Sequence, residues 1–226
     1  MQTACLLLLA ALAPGLAGCA GDLSALDPAG PAADHIAALW WAMLTGAALI
    51  FAAVMGLLAL VLRRREPTGP PQARTWLVMG GIVFPGIVLA LLLGFAAVIG
   101  ERLLPGARPD TVTVNVQAAQ WRWTFSHDLP GGRVERIGTL DIPAGRAVDL
   151  RISSADVIHS VWVPRLAGKL DAIPGRVNVL RIQAHAAGVY DGQCAEYCGI
   201  GHRVMRFQVV AHDAAAWEAF VRGERR

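Results

Sequence analysis

Six side chains in the second half of the sequence have the types and spacing to hold a metal. Cys194, Glu196, Cys198, His202 and Met205 fall within twelve residues, and His159 lies upstream in the segment Asp156-Val157-Ile158-His159-Ser160. Two thiolates, an imidazole and a thioether so close together suit a soft, redox-active metal such as copper. A mononuclear blue-copper site takes one Cys, two His and a weak axial Met, so this segment has one Cys more than that scheme uses. Two cysteines four apart on one loop could instead bridge two metals, each needing its own terminal ligand. His202 can supply one, and His159, which begins an expected strand, is the best candidate for the other. Spacing alone leaves two other readings open. A Cys194–Cys198 disulfide suits an oxidising compartment but gives His202 and Met205 no role. A structural zinc site of two Cys and two His has similar thiol spacing, yet a thioether is a poor zinc ligand.

The elements that must position these residues begin after Pro105, where hydropathy drops. Thr111–Val116 alternates polar and apolar residues, as a half-buried strand does. Arg136–Ile142, Ala147–Ile152, Ser160–Val163, Val177–Ile182 and Val204–Val210 have a similar β-rich texture, separated by Pro-Gly, Ala-Gly and Asp-Gly turns. The spacing predicts a sandwich or Greek-key barrel over residues 106–213, long enough to bury one core, and a short terminal helix within residues 214–226. Trp121 and Trp123 would alternate on a strand, one of them as plain packing. His127, His185 and His212 match no ligand pattern and are read as surface residues. This part is mildly basic but has no long basic run with interleaved aromatics, so nucleic acid is not an expected partner.

The sequence is 55% hydrophobic and 16% charged, too apolar for an ordinary soluble protein, and the excess lies before Pro105. Residues 36–62 and 76–100 each exceed the roughly 20 residues that cross a bilayer, with Trp40, Trp41 and Trp76 near their ends. Pro85 should kink the second span, and Gly80, Gly81, Gly86 and Gly94 would permit close helix approach. The loop at residues 63–75 opens with Arg63-Arg64-Arg65, which places it in the cytoplasm and both termini outside. Residues 1–18 read as a signal peptide, and Leu16-Ala17-Gly18-Cys19 resembles a lipobox in which Cys19 is lipidated, although Met1–Ala4 lacks Lys or Arg. Residues 19–35 would be an external segment, and the chain a multi-pass protein of a bacterial inner membrane.

The run C-x-E-x-C-G-x-x-H-x-x-M, complete from Cys194 to Met205, resembles the binuclear copper (CuA) signature of cytochrome c oxidase subunit II. Asp156–Asn178 is similar to that family's stretch around the other copper histidine, and Gln120-Trp121-Arg122-Trp123 resembles its aromatic patch. The resemblance implies a two-helix membrane hairpin followed by a cupredoxin-like Greek-key β-barrel. It implies that Cys194 and Cys198 bridge two coppers, that His159 and His202 cap one each, and that Met205 is a weak axial ligand. Glu196 would offer its backbone carbonyl to copper and its carboxylate to Mg or Mn at a subunit interface. Trp121 would be the electron entry point, and Asp171 and Arg176 would meet the catalytic subunit. Implied partners are the haem–copper subunit I, subunit III, a cytochrome c and membrane lipid. The implied activity is electron relay to a proton-pumping oxidase whose oxygen chemistry lies in another chain. A related enzyme of the nitric oxide reductase type and a copper carrier or assembly protein are the alternatives.

Overall fold

The computed structural model describes residues 18–63, 73–103 and 111–224. The expected signal-peptide core and the Arg64-Arg65 portion of the basic loop lie outside the described residues. The chain divides into a helical unit, residues 38–104, and a second unit formed by residues up to Ala37 and from Pro105 onward.

Helix α1 runs Pro31–Arg63, with Pro31 at the first helical position, where its missing N–H and fixed φ carry no penalty. Its 33 residues correspond to about 50 Å. The second apolar stretch is α2 (Ala73–Val78), a π-helical segment (Met79–Val83) and α3 (Phe84–Leu103). Just before Pro85, where the sequence predicts a kink, the helix widens into this π segment. Proline has no N–H for the carbonyl four residues back, and the widened turn, with the Phe84 N–H bonded to the Met79 carbonyl, accommodates the loss. Pro31–Arg63 and Ala73–Gly100 are long and apolar enough to cross a membrane. Leu49, Phe51, Leu62, Leu77, Leu91 and Leu93, among others, are exposed, which is the state a lipid solvent suits.

The second unit is a sandwich of two five-stranded sheets. Its strands are β1 (Val112–Ala119), β2 (Arg122–Leu129), β3 (Gly132–Ile137), β4 (Thr139–Pro143), β5 (Val148–Ser154), β6 (His159–Trp162), β7 (Leu170–Ala172), β8 (Asn178–Ile182), β9 (Gly188–Cys194) and β10 (Arg206–His212). One sheet has the order β3-β2-β1-β5-β8 and the other β4-β10-β9-β6-β7. The β1–β5 and β10–β4 pairs are parallel and the others antiparallel. Alternation along β1 buries Val114, Val116 and Ala118 on the inner face, as β10 buries Phe207, Val209 and Ala211. Trp123 and Phe125 of one sheet meet Phe207 of the other at ring separations of 5.6 and 5.3 Å, joining the two layers. The fold class is the expected one: apolar helices followed by a cupredoxin-like β-domain.

Three expectations need correction. The single strand expected at Arg136–Ile142 is two strands in different sheets, because Gly138 takes φ +73° and its N–H turns to the Trp123 carbonyl. His127 is a core residue, 1% exposed, with Nε2 bonded to the Asp141 carbonyl at 2.8 Å. His212 is largely buried against Asp141. His185 is half exposed, as expected. The terminal helix α4 (Ala214–Val221), capped by Asp213 Oδ1 accepting the Ala216 N–H, covers both inner histidines with Trp217 and Phe220.

The segment expected to be external, residues 19–35, is built onto the β-domain through Asp27, Ala29, Gly30 and Asp34. The Ala29 N–H donates to the Arg165 carbonyl (2.7 Å), and its carbonyl accepts from the His185 N–H (2.8 Å). Arg165 pairs with Asp27, and His185 with Asp34. Gly30 is required by close approach: a Cβ there would lie 2.2 Å from the Gln183 carbonyl oxygen and 2.9 Å from that of Leu166. Ala33 and Ala37, on the first turns of α1, are buried.

Candidate metal centre

The β6–β9 register sets the centre. Val161 pairs with Cys194, so His159 at the start of β6 and Cys194 at the end of β9 come from adjacent strands. The Ala195 N–H donates to the Ser160 carbonyl and the Cys194 N–H to that of Met205, closing the loop from Cys194 to Met205 on itself. Within it a 3-10 turn, His202–Val204, aims His202 back at Cys198. Gly199 allows the chain to reverse at φ +111°.

The donor atoms form a row. His159 Nδ1 is 3.9 Å from Cys194 Sγ, Cys194 Sγ is 3.8 Å from Cys198 Sγ, and Cys198 Sγ is 3.7 Å from His202 Nδ1 and 3.8 Å from Met205 Sδ. A disulfide needs about 2.05 Å, so the two sulfurs are not bonded, and both cysteines are free. Two donors bound to one ion at about 2.0–2.3 Å lie at most about 4.6 Å apart, so each neighbouring pair in the row fits around a shared ion. His159, Cys194 and Cys198 offer donors all within 4.8 Å of one another, and His202 falls outside that group. His159, Cys194, Cys198 and Met205 are buried, and His202 half-buried. Burial pushes the Cys198 thiol up, and Cys194 beside it pushes further, to about 12. A metal must therefore displace a firmly held proton to bind the thiolate.

Asp156 orients His159. Burial raises its carboxyl, but hydrogen bonds from the Gln120 amide, the His159 ring and the Val157 amide overcome this and hold it at about 2. The ionised carboxylate can only accept, so the ring Nε2–H donates to Asp156 Oδ1 (2.8 Å) and leaves the Nδ1 lone pair facing Cys194. Asp156 had no role in the sequence reading. Its signal was an acid three residues before a candidate ligand.

Glu196 has its two groups in different surroundings. Its carbonyl accepts from Cys194 Sγ at 3.2 Å, while its carboxylate points outward to Lys169 Nζ at 3.2 Å. Lys169 also lies 4.0 Å from Asp171 Oδ1, so the two carboxylates flank an ammonium that the sequence reading did not use. Arg176 is exposed in the turn between β7 and β8. Cys19 is free and half-buried, with its carbonyl accepting from the Ser24 hydroxyl.

Trp121 is not on a strand but in the β1–β2 turn, 42% exposed. Its Nε1–H donates to the Cys198 carbonyl (3.2 Å), which also accepts from the Gln120 side-chain amide (2.8 Å). The indole lies so close over the metal loop that a Cβ at Gly201 would be 2.4 Å from its Cγ. Trp123 is fully buried between His159 and Phe207, which is packing alone.

These features define a membrane-anchored protein whose cupredoxin-like domain presents a preformed set of soft metal donors. Residues 132–212 match the family model for the periplasmic domain of cytochrome c oxidase subunit II. The chain is 33% identical over 223 residues to cytochrome c oxidase subunit 2 of Alkalihalophilus pseudofirmus, which covers 92% of this chain and 64% of that protein. It therefore spans less than two-thirds of that relative's length. Quinol oxidase subunit 2 of Bacillus cereus is 26% identical over 221 residues, covering 92% of this chain and 75% of that protein. Among solved structures, the periplasmic domain of cytochrome oxidase subunit II from Bradyrhizobium japonicum is 25% identical with a TM-score of 0.48, covering 52% of this chain and 94% of that one. Residues 132–212 are thus a periplasmic domain of the cytochrome c oxidase subunit II family, and the similarity to a subunit 2 extends over most of the chain.

Proposed function

We propose that the chain is the electron-transfer subunit of a cytochrome c oxidase, taking electrons from a cytochrome c and passing them to a haem–copper catalytic subunit. The observation that carries this reading is the row of donors. One tetrahedral ion would need His159, Cys194, Cys198 and His202 around a single point, but His202 lies outside the compact group while touching Cys198. Two thiolates in the middle with an imidazole at each end suit two ions better than one. Bound there, a copper pair would exchange one electron with little rearrangement, because shared thiolates spread the charge.

The chain's own residues do the rest. Cys194 and Cys198 would supply the thiolates shared by the two ions, His159 and His202 one imidazole each, and Met205 and the Glu196 carbonyl weaker donors, while Asp156 holds the His159 ring. Burial keeps water from the thiolates. Trp121 joins the surface to Cys198 through one hydrogen bond, which supports it as the entry point. The Glu196 carboxylate would reach Mg or Mn at the interface with the catalytic subunit, which Asp171 and Arg176 would also meet, and subunit III would complete the assembly. Cys19 is lipidated, and the β-domain and both termini face the outside of a bacterial inner membrane.

Similarity to a quinol oxidase subunit along the chain does not separate the two donors, and the complete set of soft metal donors supports the cytochrome c reading. The test is purification in mild detergent with metal counting, near-infrared and EPR spectra. Two coppers per chain sharing one unpaired electron is the expected result. One copper, or zinc, sinks the reading, and so does undiminished oxidase activity with cytochrome c after copper removal.

A further inference from the structure

The metal-bearing end of the β-domain has an apolar cap. Trp121 is 42% exposed, Ile200 96% and Val204 70%, all on the turn and loop that cover Cys198. Arg122 opens β2 directly after that turn, Arg203 lies on the same loop and Arg206 opens β10, and all three are exposed. Among the described residues none of the three has a carboxylate within ion-pair distance. The carboxylates of this end are engaged: Asp156 by His159, and Glu196 and Asp171 by Lys169. Asp156 stays ionised beside a neutral ring and Lys169 offsets one of the other two carboxylates, so four cations stand against three carboxylates at this end, and Arg122, Arg203 and Arg206 are its exposed charges without an ion-pair partner. Apolar surface at the centre supplies contact area, while a charged rim selects partners by sign and steers their approach.

Resting on the electron-transfer reading above, we propose that the donor is a small soluble redox protein whose docking face is acidic around an apolar centre. A donor with a basic face would meet Arg122, Arg203 and Arg206 as like charges and be repelled.

The experiment uses the copper-loaded full chain in neutral-detergent micelles and two soluble cytochromes c as probes, one with an acidic haem-edge face and one with a basic face. Second-order electron-transfer rates are followed from about 10 mM to about 100 mM salt, which shortens the screening length from about 30 Å to about 10 Å. The acidic cytochrome is expected to react about tenfold or more faster at low salt and to slow as salt rises, while the basic one speeds up. Arg122→Glu with Arg203→Glu should reverse both the preference and the salt dependence without changing the copper spectrum. A basic cytochrome that reacts faster and slows with salt overturns the proposal, as does a double variant with unchanged rates. Equilibrium binding of the same two cytochromes to the metal-free chain is the second readout. A chain that takes up no copper pair sinks the electron-transfer reading. The docking proposal then stands or falls on which cytochrome binds more tightly and on whether charge reversal inverts that order.

Discussion

Asp156 holds the metal loop and the aromatic turn together, so replacing it separates two effects. Its Oδ2 accepts the Gln120 N–H at 2.7 Å, and its Oδ1 accepts the Val157 N–H at 2.7 Å and faces His159 Nε2 at 2.8 Å. Asn cannot satisfy both sides. With its oxygen toward His159 and Val157 it keeps two bonds and sets its NH2 against the Gln120 N–H. The reverse orientation loses the ring and the Val157 amide together. The first is favoured, and the contact it spoils costs about 1–3 kcal/mol, borne by the turn that carries Trp121. Asp156→Ala removes every bond and frees the His159 ring. Losing such an outer partner of a metal-ligating histidine lowers metal affinity about 10- to 100-fold, equivalent to about 1.4–2.7 kcal/mol. Copper affinity is read by competition with a chelator of known strength, and the turn by hydrogen exchange at the Gln120 amide. The expected order is a large affinity loss for Asp156→Ala and a small one for Asp156→Asn, with fast Gln120 exchange in both. Unchanged copper affinity in Asp156→Ala would refute the assignment of Asp156 as the group that orients His159.

Met205→Leu should keep both coppers but shift their reduction potential, whereas Cys198→Ser should lose the binuclear near-infrared and EPR spectrum, because only Cys198 contacts Cys194, His202 and Met205 together. Gly201→Ala places a methyl 2.4 Å from the Trp121 ring. It should cost about 1–3 kcal/mol in overpacking and slow electron entry by up to about 100-fold with the copper spectrum intact. A normal rate with a displaced indole would remove Trp121 from the path. His127 supplies a pH prediction. Burial pushes its ring below the usual histidine value, against the pull of Asp141, so the unfolded chain takes up the proton first. Its contribution is whole above pH of about 6.5 and is lost as pH falls from there toward the lower folded value. His127→Gln should flatten the fall in urea midpoint between about pH 7.5 and about pH 5.5, and an unchanged slope would count against the burial argument.

The candidate metal donors were legible because their chemistry is local: Cys194 to Met205 sit on one loop, and His159 opens a strand next to Val161 and Val163. The strands that were missed, or read only at their start, lack that local signal. Residues 122–129 mix Arg, Ser, His and Asp with aromatics, and their buried pattern makes sense only once β1 and β3 lie on either side. In β9, Gly192 reads as a strand breaker. It is needed because the Phe207 ring of β10 lies over it, where a Cβ would be 2.3 Å from the ring. His127 gives no sign of burial in sequence, since the carbonyl and the aromatic helix that accommodate it come from β4 and α4. Long-range pairing decides each of these cases, and periodicity does not carry it.

The docking of residues 27–37 on the β-domain has a consequence for biogenesis. Asp27 meets Arg165 across 138 residues of sequence, and Asp34 meets His185 across 151. When α1 emerges from the ribosome, the strands that receive its first turns have yet to be made, and Gly30 has no backbone to rest against until both Leu166 and Gln183 are in place. Such late loop closure makes the seating of this segment one of the last steps of folding. A chain truncated before Gln183 would leave Gly30 without that backbone and Ala29 and Asp34 without His185, a mark by which quality control could tell unfinished chains from finished ones.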